Sequence, residues 1–164
     1  MELKIVQRNG FCICGYAVET DAANNDSDIS ELYADFFSSG KEKILANLPG
    51  SKKGYYGLSW YTSGHERYCY LLGMEVSADI MPPEGAVLKE IPPAVFAYAG
   101  FPSQDLGKSG TDVKQAWTDF FFTEIPAAGY TPDEAHGYYF EYYPESVHGK
   151  YELWTPVVKA NVLE

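Results

Sequence analysis

The sequence predicts an α+β fold in which a strand-helix-strand-strand module occurs twice, with antiparallel sheets, helices on one side and a cleft between the halves. Three observations predict it: an internal repeat, the same order of hydrophobic patterns in both halves, and a short linker. The tripeptide Gly-Tyr-Tyr begins at Gly54 and again at Gly137, 83 positions later in a chain of 164 residues. We therefore interpret residues 1–164 as one domain with modules at about 1–78 and about 86–164.

The repeat extends beyond this tripeptide. At the same offset of 83, Cys12–Ile13 align with Val95–Phe96, and after a slip of one position Asp35–Phe37 align with Asp119–Phe121. Several segments agree in the same order, which isolated chance matches do not do. The pattern indicates two copies of one module, and two such copies must meet at a shared surface.

Each module is predicted to begin with a strand that is interrupted near its centre. The strand-forming stretches are Ile5 to Val18 and Leu88 to Phe101, and the interruptions are Asn9-Gly10 and Pro92-Pro93. Because Asn-Gly favours turns and proline lacks an N–H group for the sheet, we expect each stretch to bend or bulge at that point.

A helix with one buried stripe follows in each module. Its apolar residues recur with the i, i+3, i+4 spacing of an amphipathic helix. Asp28 and Glu31 predict a capping box in the first helix, and Pro126 predicts the end of the second. The stripe residues are Ile29, Leu32, Tyr33, Phe36, Phe37 and Ile44 in the first module, and Val113, Ala116, Trp117, Phe120 and Phe121 in the second.

Each helix is followed by a predicted hairpin. Its strands are Tyr55 to Tyr61 and Tyr68 to Val76 in the first module, and Tyr138 to Tyr143 and Tyr151 to Val158 in the second. The short, proline-rich linker at 79–85 keeps the halves close. Because one helix covers one face of such a sheet, the other face must meet water, a partner or the second module. We therefore expect the two sheets to face or abut one another around a cleft.

Charge and composition restrict the partners. The net charge of −11 repels phosphate, so we expect no direct contact with nucleic acid. Such a charge would attract a cationic ligand or a basic protein, and the alternative is that it only keeps the protein in solution. No apolar run is long enough to span a bilayer and no signal peptide is apparent, so we expect a cytoplasmic protein without a membrane partner. Cys12 and Cys14 lack Cys-x-x-Cys spacing and fit buried thiols, so we predict no metal and no cofactor.

One carboxylate lies inside an aromatic strand, in the run Tyr-Tyr-Phe-Glu-Tyr-Tyr at 138–143. With the two-residue period of a strand, Glu141 shares a face with Tyr139 and Tyr143. If the opposite face meets the helix, Glu141 points into the cleft. The sequence also allows a structural carboxylate at the sheet margin that accepts hydrogen bonds from tyrosine hydroxyls.

The repeat gives this face three counterparts in the first module, Tyr56, Leu58 and Trp60. Rings attract positive charge, and a partly desolvated carboxylate gains from pairing with it, so such a surface suits a hydrophobic cation. Trp154 is a further candidate, and it shares a strand face with Glu152. The alternative is that these residues form a core, because aromatic residues are enriched in any strand.

Familiar catalytic patterns, such as the Gly-x-Ser-x-Gly elbow or the His-Glu-x-x-His helix, do not occur in the sequence. His65, His136 and His148 each adjoin a glycine in a predicted turn, where a solvated imidazole is expected rather than a catalytic base. The sequence therefore favours binding over catalysis.

Several short strings occur in a specific order along nearly the whole chain. They are Tyr70–Val76 at the end of the first module, Glu90–Ala94 at the start of the second, Gly129-Tyr130 after the second helix, and Phe140–Tyr143 with Glu152–Val157 in the last two strands. Together they resemble the GyrI-like small-molecule-binding domain, the effector-binding domain of AraC- and MerR-type transcription regulators.

This resemblance implies a tandem repeat with pseudo-twofold symmetry and a ligand cleft between the halves. The family's pocket acid lies in a Glu-x-Tyr pattern on the middle strand of the second module, which Glu141 and Tyr143 match. Members bind lipophilic cations and other drug-like molecules, some inhibit DNA gyrase, and one branch hydrolyses cyclopropane-bearing toxins. Regulators of the family carry a helix-turn-helix segment before this domain, which here begins at residue 1, so we again expect no direct DNA binding.

Three functions are compatible with these observations. The first is binding of a hydrophobic, cationic small molecule, in transcriptional regulation or in protection from drugs and toxins, with Glu141 as charge partner. The second is hydrolysis of an electrophilic toxin, in which Glu141 activates water and the Tyr143 hydroxyl assists. Pro144 is unlike the hydrolytic branch, so we rank hydrolysis second. The third is interaction of the acidic surface with a protein, such as a regulator or gyrase.

Overall fold

The computed structural model describes residues 1–63, 66–102 and 111–161 of the chain. Its strands are β1 (Lys4–Arg8), β2 (Phe11–Asp21), β3 (Tyr55–Ser63), β4 (Arg67–Val76), β5 (Val87–Ile91), β6 (Ala94–Phe101), β7 (Tyr130–Pro132), β8 (Tyr138–Tyr143) and β9 (Tyr151–Lys159). Its helices are α1 (Asn25–Ser38), α2 (Lys41–Ala46), α3 (Thr111–Asp119), a π-helical turn (Phe120–Glu124) and α4 (Ile125–Ala127).

The strands form one antiparallel sheet in the order β1-β6-β9-β8-β3-β4-β2-β5, with β7 paired to the end of β9. The interruptions at Asn9-Gly10 and Pro92-Pro93 divide each first strand into two pieces. One piece from each module pairs with a strand of the other module: β1 of the first module pairs with β6 of the second, and β5 of the second pairs with β2 of the first. The two predicted sheets abut, since β3 and β8 pair and join them. The α+β repeat with pseudo-twofold symmetry is confirmed.

Short connections force this sheet to curl. β1 and β2 stand six positions apart, which is about 29 Å in a flat sheet. The two residues that link them, Asn9 and Gly10, allow the strand ends to lie at most about 11 Å apart. The curl brings the ring centroid of Phe11 in β2 within 5.9 Å of that of Phe140 in β8, across two intervening strands.

The concave face of the curled sheet is a packed hydrophobic core. Phe140 is fully buried at its centre and meets the ring of Phe96 edge-on. The guanidinium of Arg8 adds cation–π contacts, 4.0 Å from the ring centroid of Phe11 and 4.8 Å from that of Trp154. The buried members of this core are Ile13, Tyr56, Leu58, Leu71, Ile91, Phe96, Phe140 and Trp154.

The convex face carries the helices. α1 and α2 pack over β2 and β4, whereas α3 and the π-helical turn pack over the core of the second module. Among the helices that the structure describes, none is long and apolar enough to cross a membrane.

The helices differ from the predictions in three details. Gly40, with a φ of 80°, separates α1 from α2, so the buried stripe stops before Ile44, which is exposed. Asp28 accepts a hydrogen bond from the Thr20 hydroxyl at 2.8 Å and does not cap the helix. Pro126 lies in the first turn of α4, where its missing N–H group is not needed, so the helix does not end before it.

Candidate functional site

A cleft of about 1370 Å³ opens on the convex face, between α1 of the first module and α3 of the second. Its floor is the middle of the sheet, where β3, β4 and β8 contribute Ser59, Tyr70 and Glu141. The predicted cleft between the halves is confirmed. It lies on the helix-bearing face because the repeat places one helix over each half and leaves the central strands open between them.

Glu141 is the acid in the floor of this cleft, and neutral donors bind it. The Tyr70 hydroxyl donates to Oε1 at 2.9 Å, and the Tyr143 hydroxyl donates to the same oxygen at 3.4 Å. Trp117 Nε1 donates to Oε2 at 3.1 Å. Glu141 is 6% exposed, and no lysine, arginine or histidine of the described chain forms an ion pair with it.

Burial raises the pKa of Glu141 from 4.5 to about 7, because the charged form loses its hydration in the cleft floor. The hydrogen bonds from Tyr70, Trp117 and Tyr143 lower the pKa, since they stabilise the carboxylate, but the effect of burial is larger. The carboxyl group therefore changes its charge near neutral pH. It also lacks the opposite charge that usually accompanies a buried carboxylate.

Gly57 lies directly opposite Glu141 in the pair of β3 and β8. A methyl group at this position would overlap the Tyr70 hydroxyl and come within 3.0 Å of Glu141 Oε1. The glycine therefore leaves space for the hydrogen bond between Tyr70 and Glu141. Since Gly57 and Glu141 are equivalent positions of the repeat, the pseudo-twofold axis passes between them, and one acid serves both halves.

Sequence reasoning does not identify Tyr33, Tyr70 and Trp117 as site residues. The hydroxyls of Tyr33 and Tyr70 lie 2.6 Å apart, and because Tyr70 donates its hydrogen to Glu141, Tyr33 must donate to Tyr70. Tyr33 on α1 and Trp117 on α3 are equivalent in the repeat, so each helix directs one polar-tipped ring towards the shared acid. The sequence signal is a tyrosine and a tryptophan at matching positions of two apolar helix stripes.

Aromatic side chains form the wall of the cleft beside Glu141. Trp117 stacks on Phe121 with ring centroids 5.1 Å apart. Tyr139 meets these two rings edge-on, at 4.8 Å and 5.4 Å. Tyr139 and Tyr143 flank Glu141 on one strand face and both line the cleft. A molecule in the cleft would therefore contact rings on its sides and the carboxyl group beneath.

The structure places four other predicted site residues elsewhere: Tyr56, Leu58, Trp60 and Trp154 lie on the concave face. Residues directly opposite one another in antiparallel strands share a face. Tyr56 lies opposite Tyr142, which is one residue beyond Glu141 and therefore on the other side of the sheet. These four residues are part of a core and do not line the cleft with Glu141.

A slip of one residue explains why the sequence predicts Tyr56, Leu58 and Trp60 on the wrong face. The Gly-Tyr-Tyr match equates Tyr56 with Tyr139, whereas the paired strands follow the offset of 84 that relates the helices and equate Tyr55 with Tyr139. Shifting a strand by one residue moves each of its side chains to the other face. Gly57 and Ser59 therefore share the face of Glu141, and the helices pack on this face rather than on the opposite one.

Two histidines also border the cleft. His136 and His148 lie in its wall, whereas His65 lies outside the described residues. His136 Nδ1 is 3.0 Å from Asp133 Oδ2, and both side chains are partly buried. His136 is therefore held by a carboxylate and differs from the solvated turn residue that the sequence predicts.

The cleft also carries an ion pair, and two of the cysteines lie elsewhere in the fold. Lys114 of α3 and Asp26 of α1 form an exposed ion pair that joins the two helices at the cleft wall. Cys12 and Cys14 are buried free thiols. Within the described ranges, no three His, Cys, Asp or Glu side chains come together in a way that could hold a metal ion.

Two repeated halves that share an aromatic cleft with one acid in its floor define a small-molecule effector-binding domain. The chain belongs to the family of integron-associated effector binding proteins, Cass2, whose model matches residues 4–157. The resemblance to GyrI-like effector-binding domains is thereby confirmed. Among proteins of curated function, none matches the chain.

Three solved structures illustrate the shared fold. The integron cassette protein VCH_CASS2 of Vibrio cholerae is 18% identical with a TM-score of 0.68, and the match covers 95% of each chain. SAV2435, solved bound to tetraphenylphosphonium, is 15% identical with a TM-score of 0.73 over 96% of this chain and 94% of its own. A putative transcription regulation protein from Staphylococcus aureus MU50 is 14% identical with a TM-score of 0.67, over 96% and 98%.

Proposed function

We propose that the protein binds a hydrophobic small molecule with positive charge in this cleft, and that Glu141 is its charge partner. The observation that carries this proposal is the buried carboxyl group, whose three hydrogen-bond partners are all neutral. An ionised carboxylate without an opposite charge is costly in a buried site. A cation that enters the cleft removes this cost and gains the attraction of the carboxylate.

The walls of the cleft favour the same kind of ligand. Trp117, Phe121 and Tyr139 offer ring faces and edges, and ring faces attract cations. The net charge of −11 raises the local concentration of cations around the whole protein. SAV2435, which shares this fold, was solved with the hydrophobic cation tetraphenylphosphonium.

Titration with tetraphenylphosphonium, followed by tryptophan fluorescence, tests this function. Trp117 donates to Glu141 in the cleft, so a bound cation will change its emission, whereas Trp154 packs in the concave core. We expect saturable binding by the wild type. We expect Glu141→Gln to bind at least about tenfold more weakly, the size expected for one buried contact with a charged group.

Glu152→Gln is the matched control. Glu152 is also a strand carboxylate that accepts a hydrogen bond from an indole, that of Trp154 at 2.9 Å, but it lies on the concave face. This variant should bind the cation as the wild type does. Equal affinity of wild type and Glu141→Gln, or no saturable binding by either, would contradict the proposed function.

Hydrolysis of an electrophilic small molecule is the second candidate, and the pKa of Glu141 favours it. A group with a pKa of about 7 is suited to proton transfer at neutral pH. The Tyr143 hydroxyl, 3.4 Å from Glu141 Oε1, is close enough to assist. Product analysis after incubation with strained cyclopropanes tests this candidate. Turnover that Glu141→Gln abolishes would establish it, and binding without turnover would contradict it.

A further inference from the structure

A second polar group lies in the wall of the same cleft, separate from the hydrogen bonds of Glu141. Asp133 and His136 occupy the turn between β7 and β8. Asp133 Oδ1 accepts the backbone N–H of Ala135 at 3.1 Å, which fixes the carboxylate within the turn. Its second oxygen, Oδ2, is not needed for that purpose and lies 3.0 Å from His136 Nδ1.

This contact determines which ring nitrogen of His136 can accept a hydrogen bond. A carboxylate only accepts, so His136 Nδ1 must carry the hydrogen that faces Asp133. In the neutral ring, Nε2 is then an acceptor, and it has no hydrogen bond to any described residue. Because Asp133 fixes the ring, Nε2 of His136 is an oriented acceptor close to a carboxylate. It is therefore suited to accept a hydrogen bond from a positively charged donor, such as a protonated amine.

The size of the cleft leaves space for a ligand that reaches both groups. Its volume of about 1370 Å³ exceeds the roughly 300–1,000 Å³ of an ordinary small-molecule site. His136 precedes Glu141 by five residues, so their Cα atoms are at most about 17 Å apart. Lys114 also lies in the cleft wall, but its ammonium group is paired with Asp26. Its charge is therefore balanced and does not repel a second cationic group in the cleft.

We propose that Asp133 and His136 form a second subsite, which binds the protonated amine at the far end of an elongated ligand whose bulky cationic group lies over Glu141. This inference rests on the proposed function of Glu141 and adds a ligand class to it. The preferred ligand has two poles: a hydrophobic cation without N–H groups, and an amine separated from it by an apolar chain. The chain would lie along the aromatic wall between the two poles.

A series of paired probes tests the subsite. Aminobutyl, aminohexyl and aminooctyl triphenylphosphonium are each compared with the butyl, hexyl or octyl compound of equal chain length, at one fixed pH. We expect the amine to improve affinity by about tenfold at the chain length that spans the two groups, the ratio expected for one hydrogen bond with a charged group. Shorter chains should show no gain, because their amine does not reach His136.

Three variants assign the gain to this pair. His136→Phe should remove the gain, which is the ratio between the affinities of the amine and of the alkyl compound of equal length in the same variant. Asp133→Asn keeps an oxygen for Ala135 but presents an amide N–H to Nδ1, which turns Nε2 into a donor, so the gain should again be lost. His148→Phe is the control, since His148 borders the same cleft and no carboxylate of a described residue bonds to its ring, and the gain should persist.

The outcomes separate the two proposals. A gain from the amine that is absent at every chain length, or that persists in both His136→Phe and Asp133→Asn, overturns the second subsite while the function of Glu141 stands. If the alkyl compounds do not bind to the wild type at all, the proposed function fails, and the second subsite fails with it.

Discussion

The two faces of the curled sheet are built from the same strands and are both rich in aromatic residues, yet they differ in what they leave open. On the concave face, Tyr56, Leu58 and Phe140 fill the interior and are almost fully buried. On the convex face, the neighbouring residues of β3 are Gly57 and Ser59, which leave space above the sheet. The alternation of large and small residues along one strand therefore gives one face a core and the other a cleft.

The single acid follows the same division. Glu141 and Phe140 are adjacent in β8, so their side chains point to opposite faces. Phe140 packs in a core of aromatic and aliphatic side chains, whereas Glu141 accepts hydrogen bonds from hydroxyl and indole donors that tolerate a charge. The odd or even position of a residue in the strand, more than its aromatic neighbours in sequence, therefore decides whether it faces the packed core or the open cleft.

Phe140→Ala provides the largest test of this division. Removing a fully buried ring from the concave core should lower the free energy of unfolding by about 3–5 kcal/mol, through lost burial and the cavity left behind. The affinity of the folded protein for tetraphenylphosphonium should stay within about threefold of wild type, since the change is roughly 0.6 kcal/mol or less. Urea denaturation and a fluorescence titration measure the two quantities.

The titration of Phe140→Ala is done well below its denaturation temperature, so that unfolding does not imitate lost binding. A large loss of affinity with little loss of stability would show that the concave face, rather than the convex face, contacts the ligand.

The division also explains which parts of the structure the sequence predicts. The hairpins and the interrupted first strands are set by local signals, such as Pro92-Pro93 and alternating strand residues, so their existence is predictable. The pairing of β1 and β5 with strands of the other module is not predictable, because no local sequence pattern indicates the partner of an edge strand. The curl of the sheet follows from this pairing, so it cannot be predicted from local patterns either.

For the candidate site, the sequence predicts Glu141, Tyr139 and Tyr143 through the two-residue period of one strand. It places Tyr56 and Trp60 on the wrong face of the sheet. To infer which residues of β3 share a face with Glu141 in β8, one must know the pairing register, and a slip of one residue assigns every side chain to the opposite face. It overlooks Tyr70 for a different reason. The position of Tyr70 in the site depends on the missing side chain of Gly57, and a glycine in a strand gives no sign of what approaches it.

A pH titration sharpens the comparison on the cleft side. Unfolded Glu141 titrates near 4.5 and folded Glu141 near 7, so between these values the folded state holds the proton and the unfolded state does not. Stability should therefore fall as pH rises from about 4.5 to 7, by about 3 kcal/mol for this group alone. Urea denaturation of wild type and Glu141→Gln at pH 5 and pH 8 measures the difference.

The affinity for a permanent cation should change in the opposite direction. The carboxylate is the form that attracts it, so binding of tetraphenylphosphonium should strengthen as pH rises through about 7 and level off above it. Glu141→Gln should show neither trend. If wild type and variant respond alike to pH, the titrating group lies elsewhere.

The smallest expected effect comes from removing one hydroxyl on each face. Tyr33→Phe removes the donor to Tyr70 in the cleft, and Tyr56→Phe removes the hydroxyl that Arg8 Nη2 reaches at 3.0 Å in the concave core. Each should cost about 1 kcal/mol of stability. Tyr33→Phe should also weaken tetraphenylphosphonium binding by about threefold at pH 7, because a less polarised Tyr70 stabilises the carboxylate less. At pH 9, where Glu141 is ionised in both proteins, this difference should disappear, and Tyr56→Phe should bind as the wild type does at either pH.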